Sequence, residues 1–595
     1  MTSEKEKLQK ALKAIDEGEK EVALKLLTQV ADSFSEKEEY KKAANLYEKS
    51  AFLARDLYRA DDAFGLMESA IVMLLRLGSS EVHPEIARMN IAVGKIAEEA
   101  TEFKIAAEFY SRAADFVTDD NKRNELMTKA GDALENLADV SEHEKDYPKA
   151  VSLLKKVGRI YYSVGDDELG ERIYVRATRV ALTWGEVAKI RKDFLSAGNA
   201  FAEAAQLKQM LGESVEAIRT MMDAGDLYDQ IDLHEKAGNI YDAAAEAYKM
   251  QRLTSARKLA MTKAAESYLK MEGKPEVISP LLVKAGDIFT EINRPMKAKW
   301  AFKKASDLFA ELAQKAVSER DIDSEKSYLR HQAMCLAKWG HKEESEAIYK
   351  NVTEYFLDQA KTEEDRSNKE SQAIFLESAA ETLYEADDTA EAQKHMERAL
   401  EICIELADSY STSGNNDEGS KFYSKAAACA GKLGDFDRQS SFHWIASDKA
   451  EEAAAVYKEM DLAELETIWI RTAGTEALNT MDPKMIEKAI DLLQKSAIGF
   501  KAAHEEREAF DDLFTVTEII MKHDPSAVDK LAEIIKEMEL IISFTQEDSM
   551  IAAMPIIKAL GNGNHLSALM LLQEREEDLP KKRERLKTLI DIISK

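Results

Sequence analysis

The chain has little of what interrupts a helix. Its 595 residues hold only 24 glycines and 9 prolines, and no proline falls between positions 297 and 482. That scarcity excludes β-sandwiches, turn-rich folds and long flexible linkers, and favours helix. Cysteine is almost missing. Cys335, Cys403 and Cys429 are too far apart for a CxxC motif, which excludes a secreted disulfide framework and points to a reducing, cytoplasmic location. The longest uncharged apolar run, AIVMLL at 70–75, falls far short of the roughly 18 residues needed to span a bilayer. The opening MTSEKEKLQKALK lacks the apolar core of a signal peptide. Membrane association is therefore at most peripheral. Positive charge is in deficit, with 82 Lys and Arg against 111 Asp and Glu, a formal net charge of −29. Such a surface repels nucleic acid and anionic lipid, and suits basic or mixed-charge protein partners.

The motifs of common chemistry are missing too. There is no GxxxxGK[ST] phosphate loop, no HExxH and no GxSxG. DIDSEK at 321–326 opens like a calcium loop but lacks the glycine at its sixth position. The ten histidines are scattered, and the abundant carboxylate pairs read as solvated helix faces. No catalytic residue, cofactor or metal is expected, and the chain reads as a non-enzyme.

What is present is a repeat. Gly225, Tyr228, Ala237, Tyr241 and Ala244 define a template: small, +3 large, +9 small, +4 large, +3 small. Gly286, Phe289, Ala298, Phe302 and Ala305 repeat it without a gap, and four further segments, starting at Ala31, Gly158, Ala407 and Ala497, keep the same register. Positions three and four apart share a helix face, so a small residue admits a neighbouring helix and a large one fills the space a turn away. The nine-residue step holds a helix end, a short turn and the next helix start. This five-point signature resembles the tetratricopeptide (TPR) repeat, with irregular spacing between copies that implies longer helices. The fold expected is all-α: a right-handed α-solenoid of antiparallel helix pairs, each burying its face on the next. Breaks at 271–280 (MEGKPEVISP) and 481–483 (MDP) divide it into repeats over 1–270, continuing repeats over 271–480, and C-terminal repeats with capping helices over 481–595.

Two features point to recognition of other proteins. Arg172, Arg176 and Arg179 stand at i, i+4 and i+7, a basic stripe open to an acidic helical partner or to pairing with Asp166, Asp167, Glu168 and Glu171. Near the end, the acidic Glu574, Glu576, Glu577 and Asp578 precede KKRERLK and the closing aliphatics Leu586, Leu589 and Ile590. The five tryptophans are dispersed and read as core.

The segment 196–228 goes further. Ala197, Gly198, Asn199, Ala200 and Phe201, then Ala204, Ala205, Gln206 and Leu207, then Asp223, Ala224 and Gly225, resemble the AGNAF…AAQL…DAG pattern of the soluble NSF attachment proteins, the SNAP adaptors. The chain is roughly twice the size usual in that family, and some 150 TPR-like residues precede the segment. The resemblance implies a non-catalytic adaptor that grips a SNARE-type helical bundle and engages an AAA+ ATPase through its C-terminal end, in vesicle-mediated transport. On that reading the acidic run, with the closing aliphatics Leu589 and Ile590, would meet the ATPase. A TPR receptor for short linear peptides in signalling or chaperone assembly is the alternative.

Overall fold

A computed structural model describes residues 4–523, 527–542, 548–561 and 582–593, together with Ala568, Leu572 and Leu579. Among these, all regular structure is helical and no strand occurs. The chain divides into two compact units, Met1–Ser267 and Tyr268–Lys595.

The turns explain the nine-residue step. Where a helix ends, its large template residue offers the carbonyl that closes the turn. Phe34, Tyr161 and Phe289 accept from the backbone N–H five residues on, at Glu39 (2.9 Å), Asp166 (2.9 Å) and Arg294 (2.7 Å). That is the six-to-one hydrogen bond of a Schellman closure. The residue before each donor is left-handed, with φ of 60° at Glu38, 84° at Gly165 and 59° at Asn293. The donor then becomes the N-cap of the next helix, and its own carbonyl takes the N–H of the next small template residue, Ala43, Gly170 or Ala298. Five residues plus four make the nine. With turns this short, successive helices run antiparallel and pack along their lengths.

In the first unit most helices have 17 residues, such as Lys20–Glu36, Tyr40–Asp56 and Phe194–Met210. Asp120–His143 and Asp167–Ile190 are longer, at 24. In the second unit long and short alternate: Lys342–Asp365, Thr389–Thr412 and Phe436–Glu459 have 24 residues, and Lys369–Glu385, Asn416–Lys432 and Ala463–Asn479 have 17. The seven extra residues add two turns, about 10 Å of axis.

Small and large residues nest as the template requires. A Cβ added to Gly94, Gly158, Gly225 or Gly286 would meet the ring sixteen residues on: Tyr110 at 2.7 Å, Tyr174 at 2.9 Å, Tyr241 at 2.5 Å and Phe302 at 2.5 Å. The residue after the small one often holds the hydroxyl of the packed ring. Tyr47 donates to Asp32 (2.7 Å), Tyr161 to Asp132 (2.6 Å), Tyr228 to Asn199 (2.7 Å), and Tyr241 and Tyr423 to Asp226 and Asp408. These five ring hydroxyls thus keep a partner, as burial demands.

The second unit holds all three cysteines, free and buried, with Cys403 and Cys429 in one apolar cluster on adjacent helices. At its end, helix Arg583–Ile593 forms as the aliphatic spacing predicts, and Leu586, Leu589 and Ile590 pack with Phe510 and Phe514. No described helix is long and apolar enough to cross a membrane.

Candidate functional site

Helix Asp167–Ile190 carries the basic stripe. Asp166 caps it, accepting from the Leu169 N–H at 3.0 Å, and Asp167 and Glu168 in the first turn suit the positive end of the helix dipole. Ile173, Tyr174, Ala177, Val180 and Ala181 form its buried face.

The three arginines meet different fates. Arg176 is half-buried and bonds Glu135 (3.0 Å), Glu142 (2.6 Å) and Asp139, all on helix Asp120–His143. Burial alone would lower its pKa; the hydrogen bonds it donates to Asp139 and Glu142 outweigh that and hold it above the ordinary value. Arg176 therefore clamps two helices, its guanidinium engaged within the chain and not held open. Its carboxylates lie 34 to 41 residues upstream, not in the 166–171 cluster next to it. Arg172 and Arg179 are exposed and make no ion pair among the described residues.

Arg179 borders a cleft of about 540 Å³. Val175, Leu182 and Ile190 from this helix form its apolar wall, and Lys208 and Leu211, from helix Phe194–Met210 and the turn after it, stand opposite. Ile190 is 80% and Val175 51% exposed, with Glu186 and Glu213 at the margins. Lys208 Nζ is held by the Thr220 hydroxyl at 3.2 Å. The cleft presents apolar side chains with an unpaired cation beside them, the complement of a helix that interleaves aliphatic and acidic residues. The sequence carried a signal for it. Val175, Leu182 and Ile190 form a second apolar row on a helix whose other side already fills the core.

The C-terminal candidates fare differently. Glu574, Glu576, Glu577 and Asp578 lie outside the described residues. Leu589 lies on the inward face of the closing helix and is fully buried, so in this structure it packs the core and is not open to a partner. Among the described residues, no group of three or more His, Cys, Asp or Glu is placed to hold a metal ion.

The family described as "Soluble NSF attachment protein, SNAP" matches residues 50–164 and 185–316, about two fifths of the chain. The interval between the two matches, 165–184, contains Arg172, Arg176, Arg179 and most of the apolar wall. No curated protein matches. Among solved structures, the chain is 12% identical to that of Naa15/Naa10 bound to HypK-THB, covering 100% of this chain and 97% of that one at a TM-score of 0.21. It is 14% identical to a STAND protein with a tetratricopeptide repeat sensor from Pyrococcus horikoshii, covering 87% and 74% at a TM-score of 0.28. To the P58(IPK) TPR domain it is 13% identical, covering 68% and 99% at a TM-score of 0.18.

Proposed function

On the premise that the chain is a TPR-like repeat protein resembling the soluble NSF attachment proteins, we propose that it is a non-catalytic protein-interaction scaffold. Its first unit holds a helical partner, a SNARE-type bundle, on the open face of helix Asp167–Ile190, and the scaffold links that cargo to an AAA+ ATPase in the cytoplasm. The observation that carries this reading is the exposed apolar wall bordered by Arg179, with Arg172 seven residues before it on the same helix, two cations without an ion-pair partner among the described residues in a protein of net charge −29. Cations left without a partner in so acidic a molecule favour an anionic face on the ligand. Titration of a SNARE-type bundle into the full chain at low salt tests it. Ile190→Glu, at an exposed position, is expected to weaken binding at least tenfold without changing the melting temperature. Absence of binding by both the bundle and an AAA+ partner would remove the adaptor reading.

A further inference from the structure

The second unit carries a cluster of a different kind at one helix-turn edge. Helix Pro295–Glu319 opens PMKAKWAFKK, ten residues without a carboxylate in a chain where acids dominate. Met296, Trp300 and Lys303 stand at i, i+4 and i+7 on one side of it, with Lys299 a turn before Lys303. The turn that follows helix Ile322–Trp339 comes against this side. Lys299 Nζ reaches within 3.9 Å of where a Cβ on Gly340 would sit, and Lys303 Nζ stands 5.4 Å from the centre of the Trp339 ring. Trp339 in turn lies on His341, ring centres 3.8 Å apart. The tryptophans were expected in the core, yet Trp300 is 54% and Met296 79% exposed.

The charges here are unusual for this protein. Lys299, Lys303 and Lys342 are exposed, and none has a carboxylate partner among the described residues. The nearby acids are largely engaged: Asp287 holds Lys338 at 2.7 Å and Glu344 holds His341 Nδ1 at 2.8 Å, leaving Glu343 open in the next helix. An exposed indole beside ammonium groups that lack carboxylate partners suits an anionic ligand with an apolar or aromatic side chain.

We propose that this edge is a docking surface for a short acidic peptide bearing one large apolar side chain, which packs on Trp300 and Met296 while its carboxylates meet Lys299, Lys303 and Lys342. An extended anionic surface such as a membrane would also bring the rest of a −29 molecule close and be repelled. A short peptide senses charge only within the ~8 Å screening length of physiological salt, where the lysines prevail. The surface is built from residues of the second unit alone, so its failure leaves the reading of the first unit's cleft untouched.

The probe is a fluorescein-labelled decapeptide of glutamates around a central phenylalanine, titrated into the full chain by anisotropy. Saturable binding is expected, with a blue shift of tryptophan emission. Trp300→Ala and the double variant Lys299→Glu/Lys303→Glu should each weaken it at least tenfold. Lys350→Glu, a charge reversal elsewhere on the unit's surface, should leave it unchanged, and replacing the peptide's glutamates by glutamine should abolish it. Absence of binding, equal loss in Lys350→Glu, or full affinity in Trp300→Ala would overturn the proposal. So would binding of phosphatidylserine vesicles in place of the peptide, or binding lost only because wild type self-associates through this edge.

Discussion

Gly286 lies so close to the Phe302 ring that a single methyl would meet it at 2.5 Å. Gly286→Leu therefore forces bulk into a closed helix crossing and is expected to cost about 1–3 kcal/mol. Thermal melts beside Glu311→Leu, at an exposed position of a neighbouring helix, check this; equal melting points would contradict the nesting. The tyrosines that fill the paired positions also respond to pH. Burial first, then the hydrogen bond to Asp132, pushes the Tyr161 hydroxyl well above the ordinary tyrosine range, and Tyr423 is pushed up to about 12 by burial and Asp408. A folded-state pKa raised in this way stabilises the protein below the unfolded value of about 10, and the contribution drains away as pH climbs past it. Tyr161→Phe is expected to cost about 1.5–3 kcal/mol at neutral pH through the lost bond to a carboxylate. It should also flatten the fall in melting temperature between about pH 10 and 12; an unchanged slope would refute the linkage.

Between helices, the recurrent turn is stricter than the residues that occupy it. Its left-handed position is filled by glycine at Gly165, Gly212 and Gly434 but by Glu38, Thr101, Asn293 and His504 elsewhere. Thr101, at φ 59°, carries a β-branched side chain where the Cβ crowds the backbone. Thr101→Gly is expected to stabilise by about 0.5–1 kcal/mol, read as a higher midpoint in denaturant melts; a loss of stability would show that the threonine makes a compensating contact. This geometry was largely legible in advance. The spacing of Phe289, Ala298 and Phe302 already encoded the closing carbonyl, the cap and the first intrahelical bond. The alternation of 24- and 17-residue helices in the second unit was not, because added turns keep the same local pattern and only lengthen it.

At the scale of the whole chain, the repeat is what the sequence shows best and the binding surfaces are what it shows least. Arg176 illustrates why. Its neighbours in sequence offered four carboxylates, but stacking sets it against Glu135, Asp139 and Glu142 on a helix two before its own. Trp300 illustrates the converse: composition placed it inside, and the start of a helix at an edge leaves it outside. Stacked repeats bury each hairpin mainly on its immediate neighbours, so damage at one crossing spreads locally before it spreads globally. The placement of the three buried thiols, all beyond Ser267, turns this into an optical assay. A chromogenic aryl disulfide has nothing to react with in the first unit, and in the second it must wait for the structure to breathe. Its colour would therefore clock the opening of one half of the molecule alone, quickened by Gly286→Leu and indifferent to Gly94→Leu.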